Sequence, residues 1–350
     1  MVEDIRNFTL GELEKNLTAG GFPAYRARQV FAWLYKKGVG DFAAMANLPQ
    51  DLKAFLKSYY TIQPCIIENI QTSADLTQKF LLRLKDHSLI ESVSIPAKSR
   101  LTACLSTQVG CRYACAFCAS GISGFRRHLD AGEIIAQFLT IAAHVPGGHI
   151  SNVVFMGIGE PLDNYENLLR AIRILNDAQG VRLGARKMTI STCGLAPAIE
   201  RLSREKLQLE LSVSLHAATD EKRSQLLPVN KRFPLETLMR ALRVYAQATK
   251  RKITFEYVLL RAFNTTVEDA QALIGLIRGL NARVNLIPFN PAASRLGFEP
   301  PVKLEVLFFK SYLEKHGVDV TLRLPRGSDI GAACGQLRYQ TLQGDKKHGA

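Results

Sequence analysis

Long apolar runs are missing from this sequence of 350 residues. The longest, Ile134 to Val145, is broken by Gln137, Thr140 and His144 and falls short of the roughly 20 residues that a membrane span needs, so no span is expected. The first residues, MVEDIRNF, lack both a basic cluster and an apolar stretch. That excludes the pattern of a secretory leader and makes a cytoplasmic protein the expectation. No internal repeat or low-complexity block is present, and 47% hydrophobic with 22% charged residues matches neither disordered nor coiled-coil compositions. Acidic residues are scarce beside basic ones, 31 against 45, a formal charge of +14 carried mostly beyond residue 100. Such an excess argues for a polyanionic partner such as nucleic acid. The cysteines number seven, an odd count that favours metal ligation or thiol chemistry over a disulfide framework.

Two textures divide the chain. Helical periodicity marks FTLGELEKNLTAGG, AYRARQVFAWLYKKG and LPQDLKAFLKSYY, giving a small helical module over 1–65. Residues 66–99 read as extended, with KFLLRLKDHSLIESVSIP alternating around a turn at Lys85-Asp86-His87. From residue 100 six strand patterns (LTACLST, NVVFMG, KMTIST, LELSVSL, KITFEYVLL and RVNLIPF) alternate with helical ones up to about residue 295. That alternation predicts βαβ units and a parallel sheet, closed or partly closed as a barrel. Residues 296–342 form a C-terminal extension and 343–350 a disordered tail.

The loop after the first of these strands reads CRYACAFC, placing Cys111, Cys115 and Cys118 at C-x3-C-x2-C spacing. A structural zinc site normally takes four ligands, and no nearby His or Cys completes one at finger-like spacing. Three thiolates suit a 4Fe–4S cluster with one open iron, and so tight a group is a poor match to cysteines that are merely buried. With Phe117 before its last cysteine, the motif resembles the radical S-adenosylmethionine (SAM) superfamily over roughly residues 100–290. The resemblance implies an α/β partial (β/α)6 radical SAM barrel, a 4Fe–4S cluster on Cys111, Cys115 and Cys118 that chelates SAM, and its cleavage to a 5′-deoxyadenosyl radical.

Candidate SAM contacts stand at successive strand ends. In MGIGEPLDN, Gly157 and Gly159 allow close backbone approach and Glu160 can accept hydrogen bonds from an ammonium group; the segment resembles the GGEP-type motif of the superfamily. Ser191 in TISTCG, Ser214, Leu215 and His216 in SVSLHA, and Asn290 in NLIPFNP can satisfy ribose, carboxylate and adenine edges. Singly, the serines could be helix caps and His216 a satisfied rim histidine; their recurrence favours a pocket. Cys193 and Cys65 read as packing residues.

From about residue 8 to about residue 342, the segments YRARQVFAWLYKKGVGDFAAMANLP, ACLSTQVGCRYACAFCASGISGF, MGIGEPLDN, SVSLHA, NLIPFNP and AACGQL resemble the RlmN/Cfr radical SAM RNA methyltransferases. GEPLDN is similar to the RlmN branch, which implies methylation at C2 of adenosine rather than C8. That carbon is electrophilic, and the family answers with covalent catalysis. By the resemblance, one SAM methylates Cys334 and a second yields the radical that takes a hydrogen from the S-methyl group, so two SAM are used per turnover. The methylene carbon then adds to the base, Glu91 accepts the proton, and Cys104 resolves the adduct as a disulfide with Cys334. Such a bond needs Cα atoms within about 7 Å, so the C-terminal segment must close the barrel mouth. One departure is Gly331 where relatives carry an acidic residue; Asp329 is a candidate substitute.

The implied partners are the peptidyl-transferase loop of 23S rRNA, tRNA at the adenosine 3′ of the anticodon, and a flavodoxin or ferredoxin as electron donor. Arg126, Arg127, Arg323, Arg326 and Arg338 are candidate phosphate contacts. The helical module, with Arg26, Arg28, Trp33, Lys36 and Lys37, resembles an accessory RNA-binding domain in which Trp33 is core. Competing readings are a C8 methyltransferase, a radical SAM activase of a protein partner, and a non-enzymatic RNA-binding protein with a zinc knuckle. Cys104 with Cys334 and the basic charge count against the activase.

Overall fold

The helix signals near the start of the chain become three helices. A computed structural model describes residues 2–121, 124–290, 297–333 and 335–337. After β1 (Glu3–Asp4) comes α1 (Leu10–Ala19), closed by a reciprocal cap in which Glu12 accepts the Thr9 N–H and donates its own N–H to the Thr9 hydroxyl. α2 (Tyr25–Tyr35), α3 (Gln50–Tyr59) and β2 (Tyr60–Thr61) follow, with β2 parallel to β1. Their buried residues, among them Leu13, Phe31 and Leu52, join the core of the larger region without a break. The module is pinned there by the Gly132 N–H donating to Asn7 Oδ1 at 2.7 Å and by an ion pair of Arg170 with Glu12 at 3.3 Å. Phe31 also fills the space where Gly180 would carry a Cβ.

Next, β3 (Ile66–Thr72), β4 (Gln78–Arg83) and β5 (Leu89–Ala97) form an antiparallel meander, including the expected hairpin. β6 (Arg100–Cys104) continues the same sheet, pairing antiparallel to β5. β7 (Gln108–Gly110) and β8 (Phe125–His128) make a separate ribbon around the cysteine loop. Then come α4 (Ala131–His144), β9 (Asn152–Phe155), α5 (Tyr165–Asn176), β10 (Met188–Thr192), α6 (Ala196–Leu202) and β11 (Glu210–Ser214). They are followed by α7 (Asp220–Leu226), α8 (Leu235–Thr249), β12 (Ile253–Leu259), α9 (Val267–Ile277), β13 (Ala282–Pro288), α10 (Lys303–Lys315) and β14 (Asp319–Leu322).

The main sheet runs β14-β13-β12-β11-β10-β9-β6-β5-β4-β3, parallel from β14 to β6. All six expected barrel strands are present, and β14 adds a further parallel strand that its short sequence, DVTL, did not announce. Parallel strands bring their C-terminal ends to one rim, where ligands of such folds bind. One face of the sheet borders a cleft of about 2040 Å³, part of it open to solvent, where Thr102, Asn152, Thr189, Ser212 and Asn285 stand beside apolar residues such as Val154 and Ile287. A closed barrel would fill that space with branched apolar layers.

Candidate active site

The cysteine loop leaves the ribbon at Gly110, where φ is +75° and a Cβ would lie 1.7 Å from the Gly124 carbonyl oxygen, so no side chain fits. The loop folds tightly on itself: Cys111 N–H donates to Gly124 O at 3.1 Å, and Cys118 N–H to Cys115 O at 3.1 Å. Ala116 N–H reaches Leu226 O at 2.9 Å, docking the loop on α7. Cys111, Cys115 and Cys118 consequently line one cleft of about 920 Å³, part of it open to solvent, together with Glu160, Ser191, Ser214 and His216. Burial pushes the Cys111 thiol up to about 12 and the Cys115 thiol well above its ordinary range, with charge on the neighbouring thiols acting in the same direction. Thiols so placed become ligands only beside a strong cation, which a 4Fe–4S core supplies. Among the described residues no three His, Cys, Asp or Glu side chains close around a single ion. Three cysteines in one cleft fit a 4Fe–4S cluster with one open iron, whereas a structural zinc site normally takes four ligands.

Glu160 is buried at the end of β9. Its Oε1 accepts the Leu162 N–H at 3.1 Å and its Oε2 the Cys193 N–H at 2.8 Å. Burial raises its pKa while these N–H groups oppose the rise; the carboxylate is thus held in fixed orientation on the cleft wall, able to take further donors. Gly157 and Gly159 line the cleft and make a second close contact as well. A Cβ on Gly157 would meet Ser106 Oγ at 2.6 Å and one on Gly159 would meet Gln108 Cβ at 2.6 Å, so their bare faces lie against the segment entering β7.

Ser191 and Ser214 also line the cleft. Leu215 is fully buried behind it, its N–H donating to Glu256 O at 3.0 Å. His216 has φ +59° and accepts the Val258 N–H on Nδ1 at 3.1 Å, which assigns the proton to Nε2. Burial, then the charge of Arg223, pushes its pKa down to about 3, so the ring is neutral; it meets Phe117 edge-on at 4.5 Å. Asn290 borders the wider cleft instead, across Val258 and Ile287, which line both.

Cys104 ends β6 opposite Val93. It packs in a small apolar group with Val93, Ile158, Ala332 and Leu337. Cys334 lies outside the described residues, and no disulfide joins the described cysteines. The chain just after Cys334 meets the end of the cysteine loop: Gly335 O accepts the Ala119 N–H at 2.6 Å, and Leu337 O the Ser120 hydroxyl at 2.7 Å. Glu91, buried on β5, is ion-paired with Lys79 at 3.3 Å. Asp329 accepts from Ser73 Oγ at 2.5 Å and the Ala74 N–H at 3.2 Å, tying the C-terminal segment to the β3–β4 turn.

Of the candidate phosphate contacts, Arg127 is engaged by Asp86 at 2.8 Å and Glu133 at 2.7 Å, and Arg326 stands 3.7 Å from Asp75. Arg323 lines both clefts and Arg126 is exposed, whereas Arg338 and the 343–350 tail lie outside the described residues. In the helical module Arg28 pairs with Glu14 at 3.0 Å. Trp33 is half-buried against the core with the Lys37 ammonium 3.6 Å from its ring centroid.

Sequence reasoning passed over three residues of this site. Cys193, read as packing, lines the cysteine cleft and holds Glu160 through its N–H. Glu256, a carboxylate inside the apolar run KITFEYVLL, borders both clefts and accepts from Ser212 Oγ at 2.9 Å; its place in that run was the available signal. Arg223 lies within DEKRSQ, which reads as a solvated helix, yet it is completely buried.

Residues 105–274 match the Radical SAM superfamily, and residues 3–62 match the ribosomal RNA large subunit methyltransferase N-terminal domain. The chain is 43% identical to the "Probable dual-specificity RNA methyltransferase RlmN" of a Thermoanaerobacter species, over 97% of this chain and 99% of that protein. It is 39% identical to the "Dual-specificity RNA methyltransferase RlmN" of a Nitratiruptor species, over 99% of each. The crystal structure of a radical SAM methyltransferase from Sphaerobacter thermophilus matches with a TM-score of 0.91 at 43% identity, covering 96% of this chain and 99% of that one. A likeness of this extent, running through the accessory module and the barrel alike, makes the chain a member of the RlmN family of radical SAM RNA methyltransferases.

Proposed function

We propose that this enzyme methylates C2 of adenosine in the peptidyl-transferase loop of 23S rRNA and in tRNA at the position 3′ of the anticodon, through an S-methylcysteine on Cys334. The observation that carries the reading is the apolar group in which Cys104 packs with Ala332 and Leu337, the near sequence neighbours of Cys334. The same segment borders the cysteine loop through Gly335 and Leu337. The neighbours of the acceptor cysteine thus touch both the resolving thiol's surroundings and the cluster-ligand loop, which supports covalent methyl transfer to an electrophilic carbon.

When bound, the cluster supplies the electron that cleaves SAM. The chain's own residues do the rest. Glu160, with Ser191, Ser214, Leu215 and His216, orients SAM, and Asn290 reaches it from the wider cleft. Neutral His216 has an Nε2–H to offer but adds no charge, which suits an adenine or ribose edge better than a carboxylate. Glu91, ion-paired with Lys79, takes the C2 proton. Single-stranded RNA loops let the base be splayed out at low cost, and the wider cleft, where Arg100, Arg283, Arg323 and Arg326 outnumber Glu210 and Glu256, has a net positive lining to receive them. Two SAM per turnover, a flavodoxin or ferredoxin donor and a cytoplasmic setting complete the proposal; no helix among the described residues is long and apolar enough to cross a membrane.

The test is anaerobic turnover with unmodified 23S rRNA and tRNA, followed by nucleoside mass spectrometry. We expect 2-methyladenosine from both RNAs, no product from Cys334→Ala, and RNA retained covalently on Cys104→Ala. Formation of 8-methyladenosine, or full activity of Cys334→Ala, would overturn the proposal.

A further inference from the structure

Arg223 is among the largest fully buried side chains in the protein, and its hydrogen-bond partners are neutral. Nη1 donates to Asn230 Oδ1 at 2.7 Å, and Nη2 to the carbonyls of Cys193 and Ser214 at 2.7 and 3.2 Å. Its Nε, also buried, has no hydrogen-bond partner among the described residues. Asp220 enters only one bond further out, through Asn230 Nδ2 at 2.8 Å. A guanidinium taken out of water and held by neutral acceptors is costly unless an anion lies nearby. Burial lowers its pKa to about 10, so the charge persists at neutral pH.

The anion that would meet it is an iron–sulfur cluster bound by the three thiolates. Three residues along α7, Leu226 O accepts the Ala116 N–H at 2.9 Å, between Cys115 and Cys118. On its other side Arg223 Nη2 lies 3.1 Å from where Gly194 would carry a Cβ, beside Cys193 on the cleft wall. Cys193, whose carbonyl Arg223 holds, lines the same cleft as Cys111, Cys115 and Cys118.

We propose that Arg223 is a fixed buried cation that raises the reduction potential of the iron–sulfur centre held by Cys111, Cys115 and Cys118. Reduction adds one electron, taken from the external donor, and one negative charge to the centre with no bond made or broken. A positive charge fixed in low dielectric nearby favours that state. The inference rests on the reading of the three cysteines as cluster ligands. Arg223 touches no reacting atom, so it is a positioning residue whose effect is electrostatic.

The test is an EPR-monitored redox titration of the reconstituted full-length protein, without SAM, for wild type, Arg223→Lys, Arg223→Met and Asn230→Asp. The last variant keeps the arginine and sets a carboxylate against it. At the wild-type midpoint the reduced-to-oxidised ratio should fall about tenfold in Arg223→Met and Asn230→Asp, a shift of ~59 mV for one electron. Arg223→Lys should stay near wild type. Wild-type midpoints in both Arg223→Met and Asn230→Asp would overturn the proposal, as would an Arg223→Lys shift equal to that of Arg223→Met. Should Arg223→Met fail to fold, Asn230→Asp decides alone. A wild-type protein without iron, sulfide and the EPR signal would overturn the cluster reading itself, a separate and distinguishable failure.

Discussion

Gly159→Ala tests how the site is held, because two separable costs meet at that position. The backbone stands at φ +108°, and an added Cβ would lie 2.6 Å from Gln108 Cβ, 2.7 Å from its Cγ and 2.9 Å from its backbone nitrogen. The backbone conformation alone costs an L-residue ~1–3 kcal/mol. Overpacking adds a further ~1–3 kcal/mol, because a backbone atom of β7 cannot swing aside. The sum, about 4 kcal/mol, is a large part of the ~5–15 kcal/mol by which domains are stable. Gly21→Ala is the control, with φ +86° and nothing within 4 Å of the new Cβ, so it carries the strain without the clash. The clash also acts on the site: Gln108 Oε1 accepts the Glu160 N–H at 2.9 Å and Gln108 Nε2 donates to Asp163 at 2.8 Å. Displacing Gln108 therefore moves Glu160. Urea unfolding should show a loss ~1–3 kcal/mol greater in Gly159→Ala than in Gly21→Ala, and SAM binding should weaken at least about tenfold in the first alone, ~1.4 kcal/mol or more. Equal unfolding losses, or unchanged SAM affinity in Gly159→Ala, would refute the reasoning.

Glu160→Gln keeps the shape but turns an NH2 group toward either the Leu162 or the Cys193 N–H, each of which now donates to a carboxylate oxygen. SAM affinity by equilibrium binding should fall about 10–100-fold, the ~1.5–3 kcal/mol of a hydrogen bond to a charged group. His216 gives a pH dependence of stability. Its folded pKa of about 3 lies below the ordinary 6.5 because of burial and then Arg223. Between those values the unfolded chain binds the extra proton, so the contribution is complete above about pH 6.5 and is lost as pH falls, at up to ~1.4 kcal/mol per pH unit. Urea midpoints measured down to pH 4.5 should drop more steeply in wild type than in His216→Asn, which retains an acceptor for the Val258 N–H; parallel profiles would contradict the burial argument.

The strands and helices that were legible in the sequence are those whose apolar periodicity is read from nearby residues. The six barrel strands, the helices α1 to α6, α8 and α9, and the cysteine loop all stand where expected. The elements that escaped are short or half-exposed: the β7–β8 ribbon is set by a register around Gly110, and DVTL of β14 alternates intermediate and exposed positions on one edge of the sheet. At the site, what the sequence hid is non-local. The glycines of GIGEP line the cleft and also lie against Ser106 and Gln108, about fifty residues away. Asn290 shares its motif with the pocket strands but faces the neighbouring cleft. Arg223 carries a charge that composition assigns to the surface; in the fold it is buried against Asn230 and the carbonyls of Cys193 and Ser214.

The central claim is that the transferred carbon passes through a methyl group on Cys334 from which one hydrogen is removed. Multiple-turnover methylation with SAM bearing a trideuterated methyl group tests it most directly, with mass spectrometry of the nucleoside and of 5′-deoxyadenosine. By atom balance the covalent route delivers a methylene carbon, so the 2-methyladenosine should carry two deuterons and the 5′-deoxyadenosine one. A product methyl that keeps all three, with unlabelled 5′-deoxyadenosine, would mean direct transfer and would contradict the account.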